Sequence, residues 1–502
     1  MLIGLRAAAG AAIFSFLAAP AFALETDRAV PSPFAQRALA AAPLPSLTAV
    51  RDFTVIPASK DPAGLALLER YFRAYGFTVR ETPHLRNLIL TGTFAAAARA
   101  AHATYGAYAA AGETIVRSTP FAFPAAIARL IAATSFVPGA HARPLFVKPA
   151  LTPNGPANGY SPQQIADLYD IAPVYAGGTR GASQTVAVAA CSSIATADLN
   201  RYDSLFGLPA AKLTVVPVDG TSTAQDGEAI LDVERVHGTA PSAAIRLYLA
   251  PNCAFSELID MFAKIAEDDA TYHFAAVSHS YGFNEGDFVA DGLTQSLSDE
   301  SAAIAQLAAQ GTPLFVSSGD GGSWNDLAIE NATDVSYPAS DANAIAVGGT
   351  TVEANPAGGR IFEHAWTGSG GGVSAFFGIP AYQLPIPGLA SGIDKNLPDV
   401  AMLADPYTGA TEVFALGGGT FPIGGTSVSA PTFAGVWTLV ADARAAAKLA
   451  PVANAAASLY RERGAFVDVT AGSNGYYVAK PGYDNVTGLG VPDVAKLVNA
   501  LK

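Results

Sequence analysis

The chain has 502 residues, of which half are hydrophobic and 14% are charged, and its formal net charge is −13 at pH 7. These values exclude a disordered chain and indicate a globular protein with more than one domain and a lightly charged surface. The charge is uneven, since residues 24–157 carry a net +6 and residues 158–502 a net −20. We expect the basic and acidic parts to attract each other. The arginines of the basic part are scattered, which argues against nucleic-acid binding.

Residues 1–23 have the pattern of a signal peptide. Arg6 precedes an apolar run that ends in Ala21-Phe22-Ala23, the small-x-small pattern of a signal-peptidase site. The alternative is a membrane anchor, but the run is short and is interrupted by glycine and proline. We therefore expect a secreted protein, extracellular or periplasmic, with no membrane contact after the signal is removed.

Residues 24–141 predict a small α+β domain. In the stretch DPAGLALLERYFRAYGF, Asp61 can cap a helix, Pro62 suits its first turn and Gly76 can end it. A strand-like segment follows, and the alanine-rich AAAARAAHATYGAY then predicts a second helix. Helices and strands that alternate with short turns are typical of an α+β domain.

Residues 142–158 predict an exposed linker. The stretch ARPLFVKPALTPNGPANGYSP contains five prolines, which favour an extended conformation. An extended and exposed segment between two domains is a natural cleavage region.

From residue 159 onward, buried apolar runs alternate with helical segments, which predicts a doubly wound parallel α/β sheet. Ligands bind beyond the carboxyl ends of the strands in such sheets. Asp320 closes one run, FVSSGD, and is therefore a candidate site residue, the alternative being a solvated loop aspartate. Cys191 and Cys253 also end apolar runs. Neighbouring parallel strands could join them in a disulfide, and two buried thiols are the alternative.

Ser427, in GGTSVSAP, is a candidate nucleophile. Its small neighbours would let a substrate carbonyl approach, and a helix N-terminus favours developing negative charge. The alternative is a glycine-rich turn that caps the apolar helix after it.

Two candidates for the base of Ser427 lie close together in DGEAILDVERVHG. His237 has the H-G-T context of a subtilisin-type base, but the nearest acid at a plausible site position, Asp232, is only five residues earlier on the same predicted helix. Glu228 and Asp232 are spaced i and i+4, so both carboxylates project from one helix face. Like charges at this spacing are mildly unfavourable, and the alternative to a functional pair is an acidic solvated face.

Seven motifs in order resemble the sedolisin family, the serine-carboxyl peptidases, which combine a subtilisin-like fold with a Ser-Glu-Asp triad. The motifs are GEAILDVE, SSGD, AVGGTTV, GGGVSAFF, PDVAMLADP, GGTSVSAP and GYDNVTGLG. The segment LLERYFRAYGFTV is similar to the family's pro-segment. The resemblance therefore implies a ferredoxin-like prodomain over residues 24–141 and a catalytic domain over residues 159–502.

The resemblance also implies roles for four residues. Ser427 would be the nucleophile and Glu228 its general base, while Asp232 would orient Glu228 and share its proton. Asp320 matches the family's oxyanion-hole acid, which must be protonated to donate a hydrogen bond. Carboxyl groups that must differ in protonation imply coupled titration and an acidic working range.

Two positions depart from the family pattern. Cys191 stands where many members have a further glutamate next to the triad aspartate, and Tyr281 stands where they have tryptophan. The departures leave the triad intact but change the surrounding proton network, on which the depth of the acid optimum depends.

One structural calcium ion is a further implication of the resemblance. The stretches VDVTAG and AKPGYDNVTGLG match the family's calcium loop. They supply the carboxylates of Asp468 and Asp484 and the carbonyls of Val469, Lys480 and Gly482. Hard oxygen ligands from loops suit calcium. The alternative is two loop aspartates that cap turns.

The function implied by the resemblance is a secreted, monomeric endopeptidase made as a zymogen, which hydrolyses proteins or peptides in acid. Its own prodomain would be an intramolecular inhibitor. As the pH falls toward 4, the acidic part loses charge while the arginines keep theirs, so the prodomain should loosen and the linker should be cut between about Ala142 and Asn158. The alternatives are a tripeptidyl exopeptidase, a catalytically silent binding module on the same fold, and a subtilisin-type enzyme that uses His237.

Overall fold

A computed structural model describes residues 39–110, 113–146, 156, 158–325, 333–355, 359–417 and 419–502. The predicted signal peptide, residues 1–23, lies outside the described residues, as do residues 147–155 and 157 of the predicted linker. Among the described residues, no helix is both long enough and apolar enough to cross a bilayer.

The N-terminal part of the described chain contains eight strands and three helices. The strands are β1 (Ala40–Ala41), β2 (Val50–Pro57), β3 (Thr78–Glu81), β4 (Leu88–Thr93), β5 (Tyr105–Ala110), β6 (Glu113–Ser118), β7 (Ile131–Thr134) and β8 (Arg143–Pro144). The helices are α1 (Pro62–Ala74), α2 (Phe94–Ala100) and α3 (Ala125–Ala128).

An antiparallel sheet in the order β3-β4-β2-β7 forms the centre of this N-terminal domain. With α1 after β2 and α2 after β4, the connectivity is β-α-β-β-α-β, the split β-α-β arrangement. Helix α1 begins as its sequence predicts, because the Asp61 carboxylate accepts a hydrogen bond from the Gly64 amide at 2.9 Å. Its buried face consists of Leu65, Leu68 and Phe72, which join an aromatic core separate from that of the catalytic part.

The predicted second helix is shorter than its alanine-rich sequence suggests. Helix α2 ends at Ala100, His102 adopts a left-handed backbone conformation with φ 48°, and Tyr105–Ala110 forms β5. Strand β5 pairs with β1 on one edge and with β6 on the other. Here the ladder hydrogen bonds and the strand preference of tyrosine outweigh the helix propensity of alanine.

The part from residue 158 onward contains the remaining strands and helices. The strands are β9 (Thr185–Ala190), β10 (Lys212–Pro217), β11 (Ala244–Leu249), β12 (Ala276–His279), β13 (Tyr281–Asn284), β14 (Leu314–Ser317), β15 (Ser336–Tyr337), β16 (Ala344–Ala354), β17 (Arg360–Ala365), β18 (Gly372–Gly378), β19 (Asp394–Leu397), β20 (Val400–Leu403), β21 (Ala410–Phe414), β22 (Gly419–Ile423), β23 (Phe466–Val467) and β24 (Val491–Pro492). The helices are α4 (Pro162–Leu168), α5 (Ala172–Ala176), α6 (Thr196–Phe206), α7 (Glu228–Thr239), α8 (Phe255–Tyr272), α9 (Glu285–Ala290), α10 (Thr294–Gln310), α11 (Thr426–Ala446), α12 (Ala455–Arg461) and α13 (Val494–Leu501).

The main sheet has the order β10-β11-β9-β12-β14-β16-β17, and β20 also pairs with β16. All of these pairings are parallel except that of β17, the antiparallel edge strand. The predicted parallel α/β sheet is therefore confirmed, and the predicted apolar runs form β9, β11, β12, β14 and β16. Helix α7 packs against α11, and α8 packs against α10, with each helix also in contact with the sheet.

The N-terminal domain lies on helices α8 and α10 of the catalytic part. The Thr54 amide donates a hydrogen bond to the Asp260 carboxylate at 2.8 Å. The His84 and Leu85 amides donate to the two oxygens of Glu267 at 2.7 and 2.8 Å. Buried carboxylates of the catalytic part therefore bind backbone amides of the N-terminal domain.

Candidate active site

Helix α7 holds the predicted acidic pair inside the protein. Gly227 has φ 101° and turns the chain into the helix, and the Glu228 amide donates to the Asp226 carboxylate at 2.9 Å. The helix is buried along its whole length, and the side chains of Glu228 and Asp232 are both 0% exposed. The alternative of an acidic solvated face is therefore wrong.

Burial governs the protonation of this pair. It raises the pKa of Glu228 well above its ordinary value; the charge of Asp232 raises that pKa further, and the neighbouring Ser427 hydroxyl lowers it. Burial also raises the pKa of Asp232, while the side chains of Ser280 and Glu228 oppose the rise. Neither Glu228 oxygen makes a well-aligned hydrogen bond within the described part of the chain. Two adjacent buried carboxyl groups share protons rather than carry two negative charges.

Ser427 lies in the first turn of α11 and is completely buried. Its hydroxyl donates to the Ser280 carbonyl at 3.3 Å, which is a long bond for two oxygens. Gly425, with φ 106°, precedes the helix, and a Cβ there would lie 2.6 Å from the Asp320 Oδ2 and would clash with the Leu145 carbonyl. The glycine in GGTS is therefore required both by its backbone conformation and by the close approach of its neighbours.

Asp320 follows β14 and lies at the start of the same helix. Its Oδ1 accepts hydrogen bonds from the Thr426 amide at 2.7 Å and from the Thr426 hydroxyl at 2.9 Å. The structure therefore brings Asp320 next to the residue that precedes Ser427, at the carboxyl end of a parallel strand, where ligands bind in such sheets. It is half-buried rather than a solvated loop residue.

Ser280 is a site residue that the sequence analysis missed. Its hydroxyl donates to the Asp232 Oδ1 at 2.7 Å and lies 3.3 Å from the Ser317 hydroxyl, which donates to it. Its carbonyl accepts from Ser427. The signal was its position directly after β12, because polar residues that follow parallel strands gather at one edge of the sheet.

The two departures from the family pattern have different surroundings. Cys191 forms a disulfide with Cys253, with Cα atoms 5.4 Å apart, and this decides between the two alternatives that the sequence left. The Tyr281 hydroxyl lies 3.3 Å from the Ser192 hydroxyl, which also accepts from the Ala229 amide. Burial and the nearby acids raise the pKa of Tyr281 well above its ordinary value, so this phenol stays neutral.

His237 is held away from Ser427. Its Nε2 lies 3.0 Å from the Pro209 carbonyl and 3.0 Å from the Asp203 carboxylate. Burial lowers the pKa of His237. These contacts hold the imidazole against α6 and the loop after it, so the geometry gives no support to His237 as the base of Ser427.

The segment that follows the N-terminal domain runs across this site. Strand β8 pairs with β13 in antiparallel register, Pro144 opposite Tyr281 and Arg143 opposite Gly282. The Leu145 amide donates to the Ser280 carbonyl at 3.1 Å. The site therefore holds a strand of its own chain.

The predicted calcium ligands also come together. The Asp468 carboxylate accepts from the Gly482 amide at 2.8 Å, and the Asp484 carboxylate accepts from the Lys480 amide at 3.1 Å, so Val469 and these loops share one corner. Burial raises the pKa of Asp484. No group of three or more His, Cys, Asp or Glu side chains in the described ranges is arranged for a metal. Both carboxylates accept from backbone amides, as aspartates that cap turns do, and the residues predicted here supply only oxygen ligands, the type that suits calcium.

Comparisons with known proteins agree with this geometry. A profile of the subtilase family matches residues 217–461. Kumamolisin from Bacillus sp. (strain MN-32) is 32% identical over 370 residues, covering 68% of this chain and 63% of kumamolisin. Tripeptidyl-peptidase 1 from Canis lupus familiaris is 28% identical over 430 residues, covering 77% of this chain and 73% of that protein. The structure of Pseudomonas sedolisin, a serine-carboxyl proteinase complexed with pseudo-iodotyrostatin, aligns with a TM-score of 0.60 at 29% identity, over 69% of this chain and 98% of that chain.

The chain thus spans less than two thirds of the length of kumamolisin. The alignment with Pseudomonas sedolisin covers nearly all of that structure, and the order of the parallel strands confirms the subtilisin-like fold that the motifs predict. The chain belongs to the sedolisin family of serine peptidases.

Proposed function

We propose that the protein is a secreted serine-carboxyl endopeptidase, made as a zymogen and active in acid. The observation that carries the proposal is the fully buried pair of Glu228 and Asp232, with the Ser427 hydroxyl next to Glu228. Burying two carboxyl groups costs several kcal/mol unless they are protonated or paired, and this pair lies next to the Ser427 hydroxyl.

The roles follow from the contacts. Ser427 Oγ attacks the substrate carbonyl carbon, and its proton passes to a carboxylate oxygen of Glu228. Asp232, itself held by the Ser280 hydroxyl, shares that proton and orients Glu228. Glu228 then gives the proton to the leaving amine. In the second half of the reaction, water attacks the acyl carbon while Glu228 accepts the proton of the water, and Glu228 returns a proton to Ser427 Oγ as the ester bond breaks.

The oxyanion would be stabilised at the start of α11. The Ser427 amide lies there, and Asp320, whose Oδ1 accepts from the Thr426 amide, would be the second donor once its carboxyl group is protonated. A donor of this type contributes about 3 to 4 kcal/mol of barrier lowering. Asp320 can donate a hydrogen bond only when it is protonated, while Glu228 must be able to accept a proton. We therefore expect the activity to be highest at acidic pH.

A tripeptidyl exopeptidase is the second candidate, and the relative named tripeptidyl-peptidase 1 is the observation that favours it. The two activities differ in where the substrate begins. Peptides with blocked amino termini separate them, since an endopeptidase cleaves a blocked peptide and a tripeptidyl exopeptidase does not. A silent binding module is disfavoured, because Ser427, Glu228, Asp232 and Asp320 are all present.

The experiment is incubation of the purified full chain with a casein-like protein from pH 3 to pH 8. We expect hydrolysis that is strongest in acid and absent in Ser427→Ala. Ser429→Ala is the matched control, because Ser429 is also buried on α11 but its hydroxyl donates to the Thr426 carbonyl at 2.9 Å. Absence of hydrolysis at every pH, or equal activity in Ser427→Ala, would overturn the proposal.

We further propose one structural calcium ion at the corner formed by Asp468 and Asp484, with carbonyls of Val469, Lys480 and Gly482. The Asp484 carboxyl is buried and also accepts from the Val486 and Thr487 amides, which would hold it in place for a cation. Chelation should lower the free energy of unfolding by about 3 kcal/mol if the ion is present at a hundred times its Kd. Asp468→Asn should remove this difference in a thermal melt. A melting temperature unchanged by chelation, with no metal in the purified protein, would dismiss the site.

A further inference from the structure

Residues 143–146 occupy the site in the manner of a substrate strand. Antiparallel pairing of β8 with β13 extends through Leu145, whose amide donates to the Ser280 carbonyl at 3.1 Å. Its carbonyl accepts from the Ser427 amide at 2.9 Å. One residue of the chain is thus held on both sides, by the strand β13 region and by the helix that carries the nucleophile.

The bond to the Ser427 amide identifies which peptide unit is poised for attack. A carbonyl that accepts from the backbone amide of the nucleophile, at a helix N-terminus, lies where an oxyanion is stabilised. A Cβ added to Gly425 would approach both the Leu145 carbonyl and the Phe146 Cα, with the Asp320 Oδ2 2.6 Å away. The peptide unit between Leu145 and Phe146 is therefore the one that contacts the oxyanion donors.

The Leu145 side chain contacts strand β13 at Gly282. A Cβ on Gly282 would clash with the Ser336 Oγ and would lie 3.0 Å from the Leu145 Cδ1. Beside it, a cavity of about 350 Å³ is lined by segment 143–146 and by polar side chains that include Asn284, Asp287 and Asn325. The glycine at position 282 therefore leaves space for the Leu145 side chain on the acyl side of the bond.

We propose that the Leu145–Phe146 peptide bond is the first bond that the protein cleaves in itself, and that a leucine-sized apolar residue is preferred before the scissile bond of other substrates. This inference rests on the proposed function and adds its position and its side-chain class. Ser427 Oγ bonds to the Leu145 carbonyl carbon and its proton moves through Glu228 to the Phe146 nitrogen as the C–N bond breaks. Water then releases Leu145 as a carboxylate and regenerates Ser427.

The test follows the full chain in acid by intact mass and terminal sequencing at early times. We expect an amino-terminal fragment that ends at Leu145 and a catalytic fragment that begins at Phe146. Leu145→Asp should slow this cleavage at least tenfold, and Leu145→Met, which is similar in size and also apolar, should leave it within about threefold. A first fragment that ends at another residue, while casein hydrolysis is normal, would overturn this inference and leave the proposed function standing.

A second measurement does not depend on the folding of a variant. The processed wild-type enzyme is given two peptides that contain Arg-Pro-Leu-Phe and Arg-Pro-Asp-Phe, and cleavage before the phenylalanine is measured. We expect kcat/KM at least tenfold higher for the leucine peptide. Equal values would overturn the side-chain preference, and an enzyme that cleaves neither peptide nor casein would overturn the proposed function itself.

Discussion

The two domains treat their acidic residues in opposite ways. In the N-terminal domain the ion pairs of Arg73 with Glu69, and of Arg80 with Asp52, lie at the surface, with the arginine side chains 52% and 63% exposed. In the catalytic domain many carboxyl groups are wholly buried, among them Glu228, Asp232, Glu234, Glu300, Asp341, Asp399 and Glu412. Surface pairs contribute about 0 to 1 kcal/mol each, whereas a buried carboxyl group costs much more if it is charged and alone.

This difference means that the stability of the catalytic domain depends on protons bound to its buried carboxyl groups. Burial raises the pKa of Glu285 to about 7 and that of Asp299 to about 8. A carboxyl group with a raised folded-state pKa contributes stability that is fully present below its unfolded pKa, near 4, and that is lost as the pH rises through the folded pKa. The catalytic domain should therefore be most stable in acid, which is also where the proposed chemistry works.

The largest expected effect is a difference in activity between variants of a catalytic buried acid and of a buried acid that only supports the fold. Glu228→Gln should lower kcat/KM by about ten-thousandfold, because an amide keeps the shape but cannot take the serine proton. Glu234→Gln on the same helix should stay within a few-fold, since Glu234 accepts from the Val413 amide and an amide oxygen can do so as well. His237→Ala should also retain most activity. Initial rates on a peptide substrate test this, and an inactive His237→Ala beside an active Glu228→Gln would reverse the assignment of the base.

Asp320 is the site acid that is half-buried, and its role should be visible in the pH profile. Asp320→Ala should lower kcat by about a hundredfold to a thousandfold, as for removal of one oxyanion donor. Asp320→Asn keeps a donor at every pH, so it should lose less activity and should extend the acid profile toward neutral pH. The measurement is kcat from pH 3 to pH 7. Profiles of the same shape in wild type and Asp320→Asn would argue against a protonated Asp320 as donor.

The acid stability of the catalytic domain is the next effect in size. In the Ser427→Ala chain, Asp299 alone should reduce the free energy of unfolding by roughly 3 kcal/mol between pH 5 and pH 8, at about 1.4 kcal/mol per pKa unit. Asp299→Asn should flatten this dependence. The control is Asp52→Asn, which changes an exposed ion pair in the N-terminal domain and should leave the pH dependence of stability unchanged. The measurement is the melting temperature of each chain across this pH range, and a melting temperature of Ser427→Ala that rises from pH 5 to pH 8 would contradict this expectation.

The smallest effect concerns Arg51, an arginine of the N-terminal domain that is largely buried against the C-terminal part. Arg51 is 14% exposed and reaches Asp260 at 2.8 Å, Asp219 at 3.1 Å and Glu257 at 3.6 Å. Arg51→Ala should weaken docking by about 2 kcal/mol, whereas Arg80→Ala should cost less than about 1 kcal/mol. Hydrogen exchange of the N-terminal domain in Ser427→Ala at pH 7 measures this. Equal exchange in the two variants would contradict a special role for Arg51.

This cluster also sharpens the expectation that acid loosens the N-terminal domain. Burial raises the pKa of Asp219 to about 9 and that of Glu257 to about 7 in the docked state. Asp219 and Glu257 bind protons more tightly in the docked state than in the undocked state. Docking of the N-terminal domain therefore becomes more favourable as the pH falls through these pKa values. Loosening must therefore come from the remaining carboxylates, which charge and discharge nearer to pH 4. In the same exchange experiment, we expect protection to rise from pH 9 to pH 6 and to fall on approach to pH 4.

The local elements and the candidate site residues can be predicted from the sequence. Asp61 and Pro62 specify the start of α1, and the apolar runs before Cys191 and Asp320 become parallel strands, because capping and burial patterns act over a few residues. The spacing of Glu228 and Asp232 and the motif around Ser427 identified residues that the fold brings to one site. These are properties of single helices and turns, and of the family resemblance.

Contacts between groups far apart in the chain follow from the folded structure and could not be predicted. Ser280 enters the site through hydrogen bonds with Asp232 and Ser427, partners 48 and 147 residues away. The pairing of β5 cut short the alanine-rich helix, and the position of Leu145 against Ser427 singled out one bond in a linker that looked uniformly cleavable. In each case the deciding energy is a hydrogen bond or a burial between segments far apart in the chain, and no local pattern encodes such a contact.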